Sequence, residues 1–139
     1  MAKLSIALEL TLKKEGFYSN DKADAGGETI WGIARNMHKE WRGWEIVDEF
    51  RRATGFPVIL KENKELLALR DSFYEHEFWE KIKGAYIINQ EAANDLFDKA
   101  VNMGVKQAVL LCQRSLEHYE TGVMNDDTLN QLNEANPYA

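Results

Sequence analysis

The sequence predicts a mainly α-helical fold with a small loop or β-hairpin after the first helix. Apolar residues recur at steps of three and four through most of the chain, the spacing of a helix that buries one face. Stretches of alternating apolar and polar residues are scarce, and one Gly-rich polar stretch, residues 16–28, interrupts the helical pattern early. At 139 residues, with 45% hydrophobic and 29% charged residues and two prolines, the chain is the size and composition of one globular domain.

The elements follow in order. Leu4, Ala7, Leu8 and Leu12 fall on one face of a first helix over residues 3–14. The stretch 16–28 carries Asn20-Asp21 and Gly26-Gly27, the residues of tight turns, with room for a short hairpin. Thr29 reads as the N-cap of a helix over 31–41, and a further helix over 45–54 stops at Gly55. Asn63 caps a long helix carrying Leu66, Leu69, Phe73 and Trp79, and Asn89 caps another that runs to Met103 and stops at Gly104. A helix over 105–119 and a short last one over 127–133 complete the chain. The expected organisation is one domain over 1–139, with residues 1–88 as its first segment and residues 89–139 as a helical segment packed on it.

Composition excludes several functions. The net charge of −6 is the wrong sign for general nucleic-acid binding, which needs basic surface to displace phosphate counterions. Arg35, His38, Lys39 and Arg42 form a local basic cluster that reads as the solvated face of a helix. No segment approaches the roughly 18 apolar residues of a membrane span. Cys112, in the apolar run Val109-Leu110-Leu111, is the single cysteine and reads as a buried, inert thiol. The three histidines share no ligand spacing, so neither a metal nor another cofactor is expected. The amino terminus resembles an amphipathic helix rather than a signal peptide, since Glu9 interrupts it and no cleavage site follows. Synthesis in the cytoplasm and a monomeric state are the matching expectations.

The stretch from Glu15 to Ile33 carries the chemistry. It sets a carboxylate directly after a helix, then Asp24 and Thr29 within a Gly-rich loop. Two carboxylates and a small hydroxyl are the minimum for hydrolysing a glycosidic bond. A carboxylic acid that protonates a leaving oxygen must keep its proton near neutral pH. Glu15 has two sources of such a property: the partial negative charge of a helix carboxyl end, and burial against Phe17 and Trp31. An ionised Asp24 can then orient or deprotonate a water held by the Thr29 hydroxyl. On spacing alone a second reading stands beside this one, with Glu15 a solvated helix end, Asp24 a turn residue and Thr29 a plain cap.

Glu15 to Ile33 resembles the signature of glycoside hydrolase family 108, the phage endolysin and secretion-activator type of N-acetylmuramidase, E-G-G-Y-x-N-D-P-x-D-P-G-G-x-T-x-x-G-I. Glu15, Gly16, Tyr18, Asn20, Asp21, Asp24, Gly26, Gly27, Thr29, Gly32 and Ile33 match without a gap. Phe17 stands where the pattern has its second glycine, and Lys22 and Ala25 replace its prolines. Phe97 to Gly104 resembles the F-D-x-A-V-N-x-G that opens the family's carboxyl-terminal segment, which is described as binding peptidoglycan. The turn expected to end that segment, D-G-x-x-G-P-x-T, is altered here between Thr121 and Thr128.

The resemblance implies a lysozyme-like fold and hydrolysis of the β-1,4 bond between N-acetylmuramic acid and N-acetylglucosamine in peptidoglycan. Glu15 carries over as the catalytic acid. Asp24 and Thr29 are similar in spacing to the Glu-Asp-Thr set of many bacteriophage lysozymes, with the interval to Thr29 one residue shorter. Tyr18, Trp31 and Gly32 are candidates to bind the glycan strand. Asp98 and Asn102 either line the cleft or cap buried backbone, and Tyr74 and Trp79 either stack on sugars or belong to the core. Action at the bacterial cell wall or periplasm would require export by a route other than a signal peptide. Phe17 and the altered turn motivate an alternative, a non-catalytic peptidoglycan-associated or secretion-assisting protein that keeps the fold.

Overall fold

The computed structural model describes residues 1–135 and is mainly helical, with one small sheet. It divides into two compact units, residues 12–73 and residues 1–11 together with the chain from Tyr74 onward. Helix α1 (Leu4–Lys14) buries Ala7, Leu8 and Thr11, so the expected stripe is present, with Leu4 and Leu12 at its half-buried margins. No helix among the described residues is long and apolar enough to cross a membrane.

In the unit from Leu12 to Phe73, strands β1 (Tyr18–Ser19), β2 (Thr29–Ile30) and β3 (Ile33–Ala34) form an antiparallel sheet in that order. The expected short hairpin is therefore present and extends further along the chain than residues 16–28. The helix expected over 31–41 does not form, and Thr29 is a strand residue rather than an N-cap. Two β-branched residues, Ile30 and Ile33, pair across the sheet and are fully buried, with only Trp31-Gly32 between them. Both turn residues have positive φ, 49° and 83°, as the mirror-image turns of two-residue hairpins require. Gly32, inside the expected helix, was the signal for that turn. After β3 the chain runs through turns to α2 (Gly43–Glu49), shorter than the helix expected over 45–54, and then a 3₁₀ helix over Val58–Glu62.

Helix α3 (Lys64–Tyr74) begins at Asn63, whose side chain accepts from the Leu66 amide at 2.9 Å, the predicted cap. It continues as a π-helical turn, Glu75–Trp79, in which the Glu80 amide reaches back five residues to the Glu75 carbonyl. Tyr74 and Trp79 are 1% and 4% exposed and pack on Phe97 at ring-centroid distances of 6.2 and 5.8 Å. Both are core residues.

Helices α4 (Gln90–Met103), α5 (Val105–Ser115) and α6 (Asp126–Ala135) complete the second unit. Asn89 caps α4 by accepting from the Ala92 amide at 2.9 Å, and Gly104, at φ 94°, ends it as predicted. That single residue separates α4 from α5, which pack against each other. The start of α1 lies along α4. The Lys3 amide donates to Gln90 Oε1 at 2.7 Å, and the Thr11 hydroxyl donates to Asp98 Oδ1 at 3.2 Å. The two bonds sit the same number of residues apart on both segments, so the helices run parallel.

α5 ends four residues earlier than expected because Gln113 draws the following chain back onto it. Its fully buried amide accepts from the Thr121 and Gly122 amides at 2.9 and 3.0 Å, and its Nε2 faces Thr121 Oγ1, Thr128 Oγ1 and the Val123 carbonyl at 3.0, 3.0 and 3.1 Å. The altered turn between Thr121 and Thr128 is thus wrapped around one side chain. Cys112 is half-buried and burial raises its thiol pKa, which keeps it protonated and unreactive. Replacing Gln113 by Leu would leave two backbone donors unpaired. Gln113→Leu is expected to cost roughly 1–3 kcal/mol in urea denaturation, more than the ~1 kcal/mol expected for loss of the α4 cap in Asn89→Ala.

Candidate active site

All three predicted catalytic residues belong to the unit 12–73. Glu15 is the first residue after α1 and is half-buried. Asp24 is exposed in the loop between β1 and β2, where its backbone closes two turns: its amide donates to the Asp21 carbonyl and its carbonyl accepts from the Gly27 amide, both at 3.1 Å. Neither carboxylate has a hydrogen-bond or ion-pair partner among the described residues. Thr29 is half-buried in β2 and donates its hydroxyl to the Gly27 carbonyl at 3.1 Å. Its oxygen lone pairs remain able to accept from a water.

The glycines let this loop close. A Cβ on Gly26 would lie 3.0 Å from that of Ala34 in β3. Gly27 has φ 69°, and a Cβ there would meet the Asn36 amide group at 2.7 Å. Asn36 fastens the loop, its own amide donating to the Gly26 carbonyl at 3.0 Å and its side chain to the Ala25 carbonyl at 3.1 Å.

The candidate glycan-binding residues divide. Trp31, 8% exposed, holds a left-handed backbone that costs a non-glycine residue about 1–2 kcal/mol. Its amide donates to the Phe17 carbonyl at 2.7 Å, its ring packs on that of Phe17 at 5.3 Å, and the Arg70 guanidinium lies over the Trp31 ring at 5.0 Å. Phe17 also receives Lys61 over its ring at 4.7 Å. Phe17, one of the three departures from the family pattern, is thus built into an aromatic and cationic cluster. Gly32 is exposed at the hairpin tip. Tyr18 packs edge-on against Phe56 at 5.5 Å and directs its hydroxyl to Glu28. Asp98 and Asn102 lie on α4 in the other unit, where Asn102 donates to Asp98 Oδ2 at 3.3 Å and Asp98 Oδ1 accepts from Thr11.

Sequence reading missed Glu28. It is the variable residue inside the G-G-x-T portion of the motif, and it is 8% exposed. Its Oε1 accepts from Arg35 and Arg51, both at 2.9 Å. Its Oε2 accepts from Arg51 at 2.8 Å and from the Tyr18 hydroxyl at 2.5 Å. Asp48 of α2 accepts from both guanidinium groups, two bonds from Arg35 at 2.8 and 2.7 Å and one from Arg51 at 2.7 Å. Arg35 therefore does not belong to a solvated helical face with His38, Lys39 and Arg42, which was the expectation. Burial alone would raise the Glu28 pKa, but the hydrogen bonds from Arg51, Tyr18 and Arg35 outweigh it and hold the carboxyl below its ordinary range. The Arg35 hydrogen bonds do the same for Asp48, with Arg51 adding to them. Burial and the bond to Glu28 push the Tyr18 phenol up. With every lone pair facing the protein engaged, Glu28 is a structural anion. Of the other carboxylates of this stretch, Asp21 accepts from the Ala23 amide at 2.9 Å, while Glu15 and Asp24 have no partner among the described residues.

A mainly helical chain whose first helix ends at a carboxylate ahead of a small antiparallel sheet is lysozyme-like. More particularly, the chain belongs to glycosyl hydrolase family 108, whose model, described as Glycosyl hydrolase 108, matches residues 8–104. The match takes in both the Glu15–Ile33 and the Phe97–Gly104 motifs, and residues 105–139 lie beyond it. Among solved structures, that of Brucella abortus SagA is similar in fold, with a TM-score of 0.66 and 20% identity over 95% of this chain and 69% of that chain. No curated protein matches. The chain accordingly carries a glycosidase domain, and its substrate class is a glycan.

The ion cluster gives a pH dependence. Because the Glu28 and Asp48 carboxyls titrate lower in the folded chain than in the unfolded one, the unfolded state takes up protons first on acidification. The stabilisation is complete above the ordinary carboxylate range near pH 4 and is lost as the pH falls below it. Wild-type urea midpoints are expected to drop between pH 5 and pH 2. Glu28→Gln is expected to start lower at pH 7 and to show a shallower drop.

Proposed function

We propose that the protein is a peptidoglycan hydrolase that cleaves the β-1,4 bond between N-acetylmuramic acid and N-acetylglucosamine. The observation that carries this reading is a half-buried Glu15 without a hydrogen-bond or ion-pair partner among the described residues, directly after α1, in a chain that belongs to glycosyl hydrolase family 108. Glu15 is the general acid and protonates the glycosidic oxygen as the bond to the anomeric carbon breaks. Asp24, open to solvent, orients the attacking water together with Thr29, whose hydroxyl proton is already given to Gly27. Trp31, Gly32 and Tyr18, of the same unit, are the proposed glycan contacts. The site of action is the bacterial cell wall or periplasm, and the working form is a monomer.

The non-catalytic alternative has one observation in its favour. Phe17, where the family pattern has glycine, fills space between Trp31 and Lys61 with a ring. A combined binding and lysis assay on purified cell walls separates the two readings, since retention on the wall without released reducing ends belongs to the alternative alone.

Glu15→Gln is expected to fold as the wild type does by circular dichroism and to lose at least about 100-fold in the release of reducing ends. Undiminished activity in that variant overturns the assignment of Glu15. Asp24→Asn is expected to fall by a similar or smaller factor while wall binding persists.

A further inference from the structure

We propose that the cluster of Glu28, Arg35, Asp48, Arg51 and Tyr18 is the positioning device of this glycosidase site, and that Glu28 is its central residue. The inference rests on the proposed function of Glu15, Asp24 and Thr29 and names the residues that keep the last two in register.

Hydrolysis requires the water-handling groups to be held within a few tenths of an ångström of their working places, and a misplacement of about 1 Å is enough to cost roughly 100-fold in rate. The backbone that carries Asp24 and Thr29 has little rigidity of its own. The loop contains Gly26 and Gly27, and each strand of the sheet is two residues long. A hairpin of that length is marginal in water. Its order has to come from what it is fastened to.

Glu28 adjoins Thr29 and fastens it in three directions. Through Tyr18 it reaches β1, three residues after Glu15. Through Arg35 it reaches the residue after β3, by both the side-chain bond at 2.9 Å and a backbone bond from the Arg35 amide to the Glu28 carbonyl at 2.8 Å. Through Arg51 and Asp48 it reaches α2 and the turn that follows it. All three strands are thereby tied to one helix, and the two-pronged Arg51–Glu28 and Arg35–Asp48 pairs fix direction as well as distance. The guanidinium groups are themselves held, Arg35 over Trp44 at 5.0 Å and Arg51 over Phe56 at 5.5 Å. Tyr18 closes against the same Phe56 ring. Two cations balance two anions, so the cluster carries no net charge toward the substrate.

A positioning role and a merely structural one differ in kinetics. Glu28→Gln keeps the volume and the acceptor oxygen but removes the charge. Asp48→Asn is a second variant on a half-exposed residue outside the loop, available should Glu28→Gln fail to fold. Both are assayed on soluble glycan fragments well below their melting temperatures, with full folding verified by circular dichroism. The expected result is a kcat lower by about tenfold or more for Glu28→Gln, and by a smaller factor for Asp48→Asn, with KM within about twofold of wild type. Glu28→Asp, which restores the charge, is expected to recover part of the lost kcat. Wild-type kcat in fully folded Glu28→Gln or Asp48→Asn, with only the melting temperature lowered, overturns the inference and leaves the proposed function standing. A wild-type protein that releases no reducing ends overturns both.

Discussion

A carboxylate removed from water must find a donor for each exposed lone pair, and the unit from Leu12 to Phe73 is arranged around meeting that demand for Glu28. Removing one partner from a buried charge costs far more than the pair contributes, because the remaining charge is stranded. The short strands are therefore held less by their own ladder than by Tyr18, Arg35 and Arg51 converging on one side chain. Asp48 prevents the two arginines from repelling each other by accepting from both. Of the carboxylates in the motif, the buried one is saturated, while Glu15 and Asp24 have no hydrogen-bond or ion-pair partner among the described residues.

The hairpin tip adds a second constraint. Ile30 and Ile33 are both fully buried as a cross-strand pair, which leaves two residues to reverse the chain between them. Gly32 accepts positive φ without cost, but Trp31 does not. The penalty is offset by its amide bond to Phe17, its ring contact with Phe17 and the guanidinium of Arg70. Strained backbone of this kind persists where surrounding contacts over-determine it, and such places cluster at functional sites. Phe17 fits that picture, since its carbonyl and its ring both hold Trp31.

The unit completed by α4, α5 and α6 shows the same economy with a neutral group. Gln113 is wholly buried and has its amide fully engaged by the turn from Thr121 to Thr128. A turn that keeps the first glycine of the family pattern, Gly122 at φ 78°, but lacks its second glycine and its proline is gathered around one amide. On α4, Asp98 accepts from Thr11 of α1, so one of the residues shared with the family motif joins two helices.

Where local chemistry was decisive, the sequence alone determined the outcome. The apolar stripe of α1, the caps at Asn63 and Asn89, and the stop at Gly104 each depend on residues within a few positions of one another, and they form as read. The family also followed from residues in one unbroken register, which the match over residues 8–104 bears out. The segment after Thr29 did not follow, because a threonine before an apolar stretch suits an N-cap and a strand equally well. Burial of the Ile30 and Ile33 pair resolved that choice in favour of the hairpin. Nor did Glu28 stand out among 23 acidic residues. Its partners are 10, 7 and 23 residues away along the chain, at spacings with no period. A charge network of that kind is a property of the folded chain, since only tertiary structure withdraws the carboxylate from water and so makes its partners obligatory.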